Sequence, residues 1–65
     1  MENNNVIKLM QDLEQEFLLS CHDAERFVLG NKSAGTRVRK CMQKIKKLAQ
    51  EVRVEIQEQK NAVTA

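Results

Sequence analysis

Proline, tryptophan and tyrosine are absent from this chain, and glycine occurs only twice in 65 residues. Without proline nothing breaks a long helix, and without aromatic residues a sheet lacks the side chains it packs best. Cysteine and histidine are nearly missing too, with Cys21, Cys41 and His22 the whole supply. Neither cysteine belongs to a CxxC or to any repeating ligand spacing, so no structural metal and no cofactor is expected. A Cys21–Cys41 disulfide would need an oxidising compartment, yet the N-terminus MENNNVIKLMQDLEQEF lacks the apolar run and cleavage site of a secretory signal. The expectation is an intracellular protein with reduced thiols. No run approaches the roughly 18 apolar residues of a membrane span, which predicts a soluble protein with no membrane partner.

So short a chain buries too little apolar surface to offset its own ordering entropy comfortably. With disulfide and metal set aside, oligomerisation is the remaining source of stability.

What is present is amphipathic helix. Val6, Met10, Leu13, Phe17, Ala24 and Phe27 recur in steps of three and four, with Ser20 as a polar interruption. Ile7, Leu9, Leu18, Cys21 and Val28 widen this stripe enough for more than one neighbouring helix. The run Asn3–Asn5 supplies an N-cap, and Gly30 followed by Asn31 has the chemistry of a left-handed C-terminal cap. A second stripe follows at Ala34, Val38, Cys41, Met42, Ile45, Leu48, Ala49, Val52 and Ile56, with Asn31 or Ser33 free to cap it. The spacing predicts one all-α domain over residues 1–65, with helices over about 5–29 and about 34–60, a connector at about 30–33 and a frayed Asn61–Ala65 tail. A short connector forces the helices antiparallel, and at ~1.5 Å per residue each spans about 38 Å. Because a lone hairpin leaves much of both stripes wet, the prediction is a homodimeric four-helix bundle or coiled-coil-like assembly, or a higher homo-oligomer.

Charge is divided between the halves. Residues 1–30 hold two basic against six acidic residues, a net of −4, and residues 31–65 hold nine against three, a net of +6. Between 31 and 50 there are seven basic residues and no acid. Such asymmetry points to an anionic partner more strongly than the overall +2 does.

The acid-free stretch is the candidate site. Lys32, Ser33, Thr36, Arg37, Arg39 and Lys40 surround a helix N-terminus, where unpaired backbone donors and the helix dipole favour anions. Ala34 and Gly35 leave a surface with almost no bulk, open to close approach. Farther on, Arg37, Lys40, Lys44 and Lys47 form one stripe, with Arg39, Lys46 and Arg53 on an adjacent one. The bland alternative is a solvated helix face; twenty residues without an acid weigh against it. Both phenylalanines lie in the first helix, and on the basic face the only amides are Gln43 and Gln50, so base stacking and base-edge readout are not expected. The expected partner is duplex DNA, gripped by its phosphates with little sequence preference.

Catalysis is not expected, and neither is a small-molecule substrate. Cys21-His22-Asp23 are sequence neighbours that point different ways on a helix and cannot form a nucleophile, base and orienter line. Cys41 beside Lys40 has a neighbour that would lower a thiol pKa, yet its seam position favours a buried, inert side chain. Glu51, Glu55 and Glu58 read as a solvated acidic patch rather than a metal site. The rival reading is a protein-interaction module, an adaptor or small chaperone whose apolar seam accepts a partner's helix. A thiol switch through Cys21 or Cys41 ranks below both.

The run GNKSAGTRVRKCMQKIKKLAQEVRVEIQEQKN resembles the bacterial linker-histone-like nucleoid proteins of the chlamydial type. The resemblance covers about residues 24–61, and Gly30-Asn31-Lys32, Ala34 and Arg37-Val38-Arg39 are its most specific elements. It implies DNA binding, nucleoid organisation, a cytoplasmic, nucleoid-associated location, and a place for Lys32, Arg37 and Arg39 in the family's basic motif. Members often carry a long Lys-, Ala- and Pro-rich tail that these residues lack. The resemblance therefore implies an oligomer that bends, bridges or coats duplex DNA rather than one that condenses it strongly molecule by molecule.

Overall fold

A computed structural model of the chain describes residues 4–64. Helix α1 (Asn5–Val28) and helix α2 (Lys32–Thr64) fold back on one another, and no strand occurs among the described residues. Contacts from Asp23 to Arg37 near the turn and from Asn4 to Gln59 at the far end make the hairpin antiparallel. It measures 53 × 20 × 11 Å, a slab one helix thick.

Capping residues set the boundaries. Asn4 is the N-cap of α1, its Oδ1 accepting the Val6 N–H at 2.8 Å, while Asn3 lies outside the described residues. At the other end Gly30 has φ +112, which lets its N–H donate to the Phe27 carbonyl at 3.0 Å and the Asn31 N–H to the Arg26 carbonyl at 3.0 Å. This pair of bonds is the Schellman closure, and the positive φ is why glycine stands there. Asn31 then caps α2: its Oδ1 accepts the Ala34 N–H at 3.1 Å and the Ser33 hydroxyl at 2.8 Å. With Asn31 as cap, α2 starts at Lys32, two residues earlier than the spacing predicts. It also continues to Thr64 where the sequence suggested fraying after Lys60, since nothing there breaks a helix and Gln57 Nε2 reaches Asn61 Oδ1 at 3.3 Å. Ala65 lies outside the described residues.

The seam between the helices departs from the predicted one on α1. Val6, Leu9, Leu13, Glu16, Ser20, Asp23 and the predicted Ala24 are among its partly or fully buried positions, and Ala34, Val38, Cys41, Ile45, Leu48 and Val52 are among those of α2. Met10 and Phe17, predicted in the seam, stand on its shoulder, 51% and 55% exposed. Two stripes that share Val6, Leu13 and Ser20 run through α1, and rotation toward the second lets Glu16 and Asp23 reach α2. Ser20 is not a gap: its side chain is buried and its hydroxyl donates to the Phe17 carbonyl at 2.7 Å.

Ala34 is the only fully buried apolar residue among those described, and no large side chain is fully buried. One layer of helices covers only one side of each stripe. The stabilising burial is therefore small, and Phe17, Val28, Leu29 and Met42 remain exposed.

Candidate nucleic-acid interface

The Schellman turn and the Asn31 cap fix where α2 begins, and α2 then carries its cations around at about 100° per residue. Arg37 and Lys44, seven residues apart, lie on the flank beside α1. There Arg37 donates from Nε and Nη2 to Asp23 Oδ1 at 3.1 and 3.0 Å, and Arg26 Nη1 reaches the same oxygen at 3.4 Å. Lys44 Nζ meets Glu16 Oε2 at 2.9 Å.

These pairs perturb the groups that form them. Arg37, aided by Arg26, holds the Asp23 carboxyl below the usual carboxylate range, and Lys44 and the Cys41 thiol do the same for Glu16. Lys44 is raised in turn by Glu16. Arg37 and Lys44 remain half exposed or more, so their charges are offset rather than hidden.

The predicted stripe of Arg37, Lys40, Lys44 and Lys47 is thereby divided. Lys40 and Lys47 lie on the outer side of α2, exposed and without an ion pair among the described residues, and Lys32 and Arg39 share that condition. Lys32, Thr36 and Arg39 also border a shallow apolar cleft with Ala24, Phe27 and Val38. Ser33 is exposed, but its hydroxyl hydrogen is directed inward to Asn31. Lys46 and Arg53 stand exposed beside the outer set, Arg53 donating to Gln50 Oε1 at 3.5 Å.

Two readings of the sequence change, and that of Cys41 holds. The small surface at Ala34 and Gly35 is filled from within: Ala34 is in the seam, and the Phe27 ring lies over Gly35. Cys41 is the partly buried seam thiol that its position favours, raised first by burial and then by Glu16, and its Sγ donates to the Glu16 carbonyl at 3.0 Å. Glu55 of the acidic patch is engaged by Asn5 and Gln59, both at 3.2 Å. Glu and Lys pairs along the flanks between the acidic first helix and the basic second are expected from the charge division, and Glu16–Lys44 is one of them; which partners meet was not named, although a signal existed. Acids at 16 and 23 and bases at 37 and 44 share a spacing of seven, and antiparallel helices place such sets opposite each other.

Fold and surface together define a small helical hairpin with one flank of paired charges and an outer cationic ridge; no helix among the described residues is long and apolar enough to cross a membrane. Residues 7–62 match the model of the family described as Histone H1-like protein Hc1, and the chain belongs to that histone-like family. No curated protein and no solved structure matches it.

Proposed function

We propose that this protein binds duplex DNA through the phosphate backbone without sequence preference, and that it serves nucleoid organisation as a non-enzymatic, homo-oligomeric structural protein. The observation that carries the reading is the outer side of α2, where Lys32, Arg39, Lys40 and Lys47 are exposed and lack carboxylate partners among the described residues. Thr36 adds a hydroxyl group at the turn end, Ser33 stands beside it and can donate to a phosphate only by leaving Asn31, and Arg37 and Lys44 contribute the charge that their acids leave unscreened. Membership of a histone-like family supports the same partner. Absence of aromatic residues from α2 favours backbone contact over base contact.

Duplex affinity measured across a salt series tests this. With about four neutralised phosphates per hairpin at ~0.9 each, the logarithmic slope should be about −3 to −4 per hairpin. A flat response would remove the ridge from any role with DNA. The exposed apolar side chains Phe17, Val28 and Leu29 favour a second reading, an adaptor that accepts a partner's amphipathic helix. It predicts peptide capture and indifference to DNA.

A further inference from the structure

The hairpin leaves one apolar face uncovered. Met10, Phe17 and Val28 stand to one side of the α1 seam, and Met42, Ala49 and Ile56 stand to one side of the α2 seam; all six are exposed. In antiparallel helices an equal angular step past the seam brings both sets to the same surface of the slab. The ion pairs Asp23–Arg37 and Glu16–Lys44 lie on the opposite flank.

The two borders of this face differ in sign. Glu14 and Glu25 follow the α1 border, and Lys46 and Arg53 follow the α2 border. All four are exposed, and none is in an ion pair among the described residues.

We infer that a second copy of the chain covers this face with α1 of each copy over α2 of the other, and that the dimer presents two cationic ridges facing opposite ways, each holding its own duplex. The pairing stands on the apolar face and its borders; the bridging also rests on the proposed DNA contact.

Two face-to-face arrangements have two-fold symmetry. An axis across the helices lays α1 on α1, so the Glu14 border meets itself and the Lys46 border meets itself. An axis along the helices lays α1 on α2, and the acidic border meets the basic one at both edges. Opposed charges favour the second arrangement and like charges disfavour the first. Levels agree as well. The ion pairs 23 with 37 and 16 with 44 each sum to 60, so Glu14 is level with Lys46. A two-fold axis along the helices preserves that level, setting Glu14 of one copy against Lys46 of the other.

This order puts the two α2 helices at diagonal corners. Lys32, Lys40 and Lys47 of the two copies then face away from each other across a body about 20 Å wide, at ~10 Å per helix. Duplex DNA, stiff over about 150 base pairs, cannot turn around so narrow a body, so the ridges hold two separate segments.

The mass of the full chain by sedimentation, with E14K, K46E and the double variant, tests the pairing. Each single variant should weaken dimerisation by about tenfold and the double variant should restore it. Both sites are exposed helix surface, so circular dichroism should show unchanged helicity. Bridging is read by retention of a fluorescent duplex on an immobilised one: wild type and double variant retain it, and single variants at the same concentration lose retention while still shifting a lone duplex. A monomer at every concentration, or single variants without effect, would overturn the pairing. A dimer that shifts DNA but never retains the second duplex overturns the bridging. An intact dimer that binds no duplex refutes the DNA reading and leaves the pairing standing.

Discussion

The phenyl ring of Phe27 lies across Gly35, with Cδ1 and Cε1 2.5 and 2.8 Å from where a Cβ would stand. Glycine one turn into α2 therefore makes room for a side chain of α1, at the point where the two helices leave the turn. An alanine at an open helical position would gain about 0.5–1 kcal/mol from propensity. In G35A that gain should be cancelled or reversed as the ring is displaced, whereas in an F27A background G35A should stabilise by the full amount. Urea unfolding of the four proteins measures the coupling; an equal effect of G35A in both backgrounds would show that the ring is indifferent to the site.

Acid should loosen the hairpin from its paired flank. The Asp23 and Glu16 carboxyls are held below their ordinary values of 3.8 and 4.5, so the stability they contribute is present above those values and is lost as pH falls through the lowered ones. Lys44 is raised above 10.5, so its contribution is complete below that value and is lost as pH rises through the raised one. Thermal midpoints should thus fall at both extremes, and D23N with E16Q should flatten the acid side. An unchanged acid side in that variant would mean the pairs add nothing.

The division of the basic residues predicts unequal effects on DNA affinity. K40E with K47E should weaken duplex binding by at least about tenfold at 0.1 M salt and reduce the salt slope by about 1.8, two contacts at ~0.9 each. R37Q with K44Q should cost less affinity, because Asp23 and Glu16 already offset those charges. Fluorescence anisotropy on one short duplex compares the two. Equal losses would mean that the carboxylates release their partners when DNA arrives.

The thiols should react at different rates. Cys41 is partly buried, pushed up by burial and by Glu16, and donates to the Glu16 carbonyl; Cys21 is exposed on the apolar side of α1. At mild alkaline pH a thiol reagent should modify Cys21 much faster than Cys41 in dilute protein, and both alike in denaturant. If a second copy covers the apolar face, raising the protein concentration should slow Cys21. Fast modification of Cys41 in folded protein would contradict its burial.

The helices, their antiparallel order and the glycine turn were legible because each rests on local chemistry: two apolar periodicities, an asparagine run, and Gly30 where a left-handed residue is needed. The phase of the seam was not legible. Met10 and Phe17 make an equally regular row with Val6 and Leu13, and only pairing of Glu16 and Asp23 with the other helix decides between the rows. The same contacts explain why the cationic stripe was read as continuous. Composition counts the charges of Arg37 and Lys44, whereas their state depends on acids more than a dozen residues away in the chain.

Chain separation between partners grows steadily along the hairpin, from 14 residues at Asp23–Arg37 to 55 at Asn4–Gln59, where two side-chain amides exchange hydrogen bonds at 3.2 Å. Closing the near partners immobilises a short loop, and each later one needs those before it. The molecule should therefore behave as a zipper with its slider at Gly30. Amide exchange would quicken toward the Asn4–Gln59 end and stay slowest around Ala34, keeping Lys32 and Lys40 in place while that far end opens.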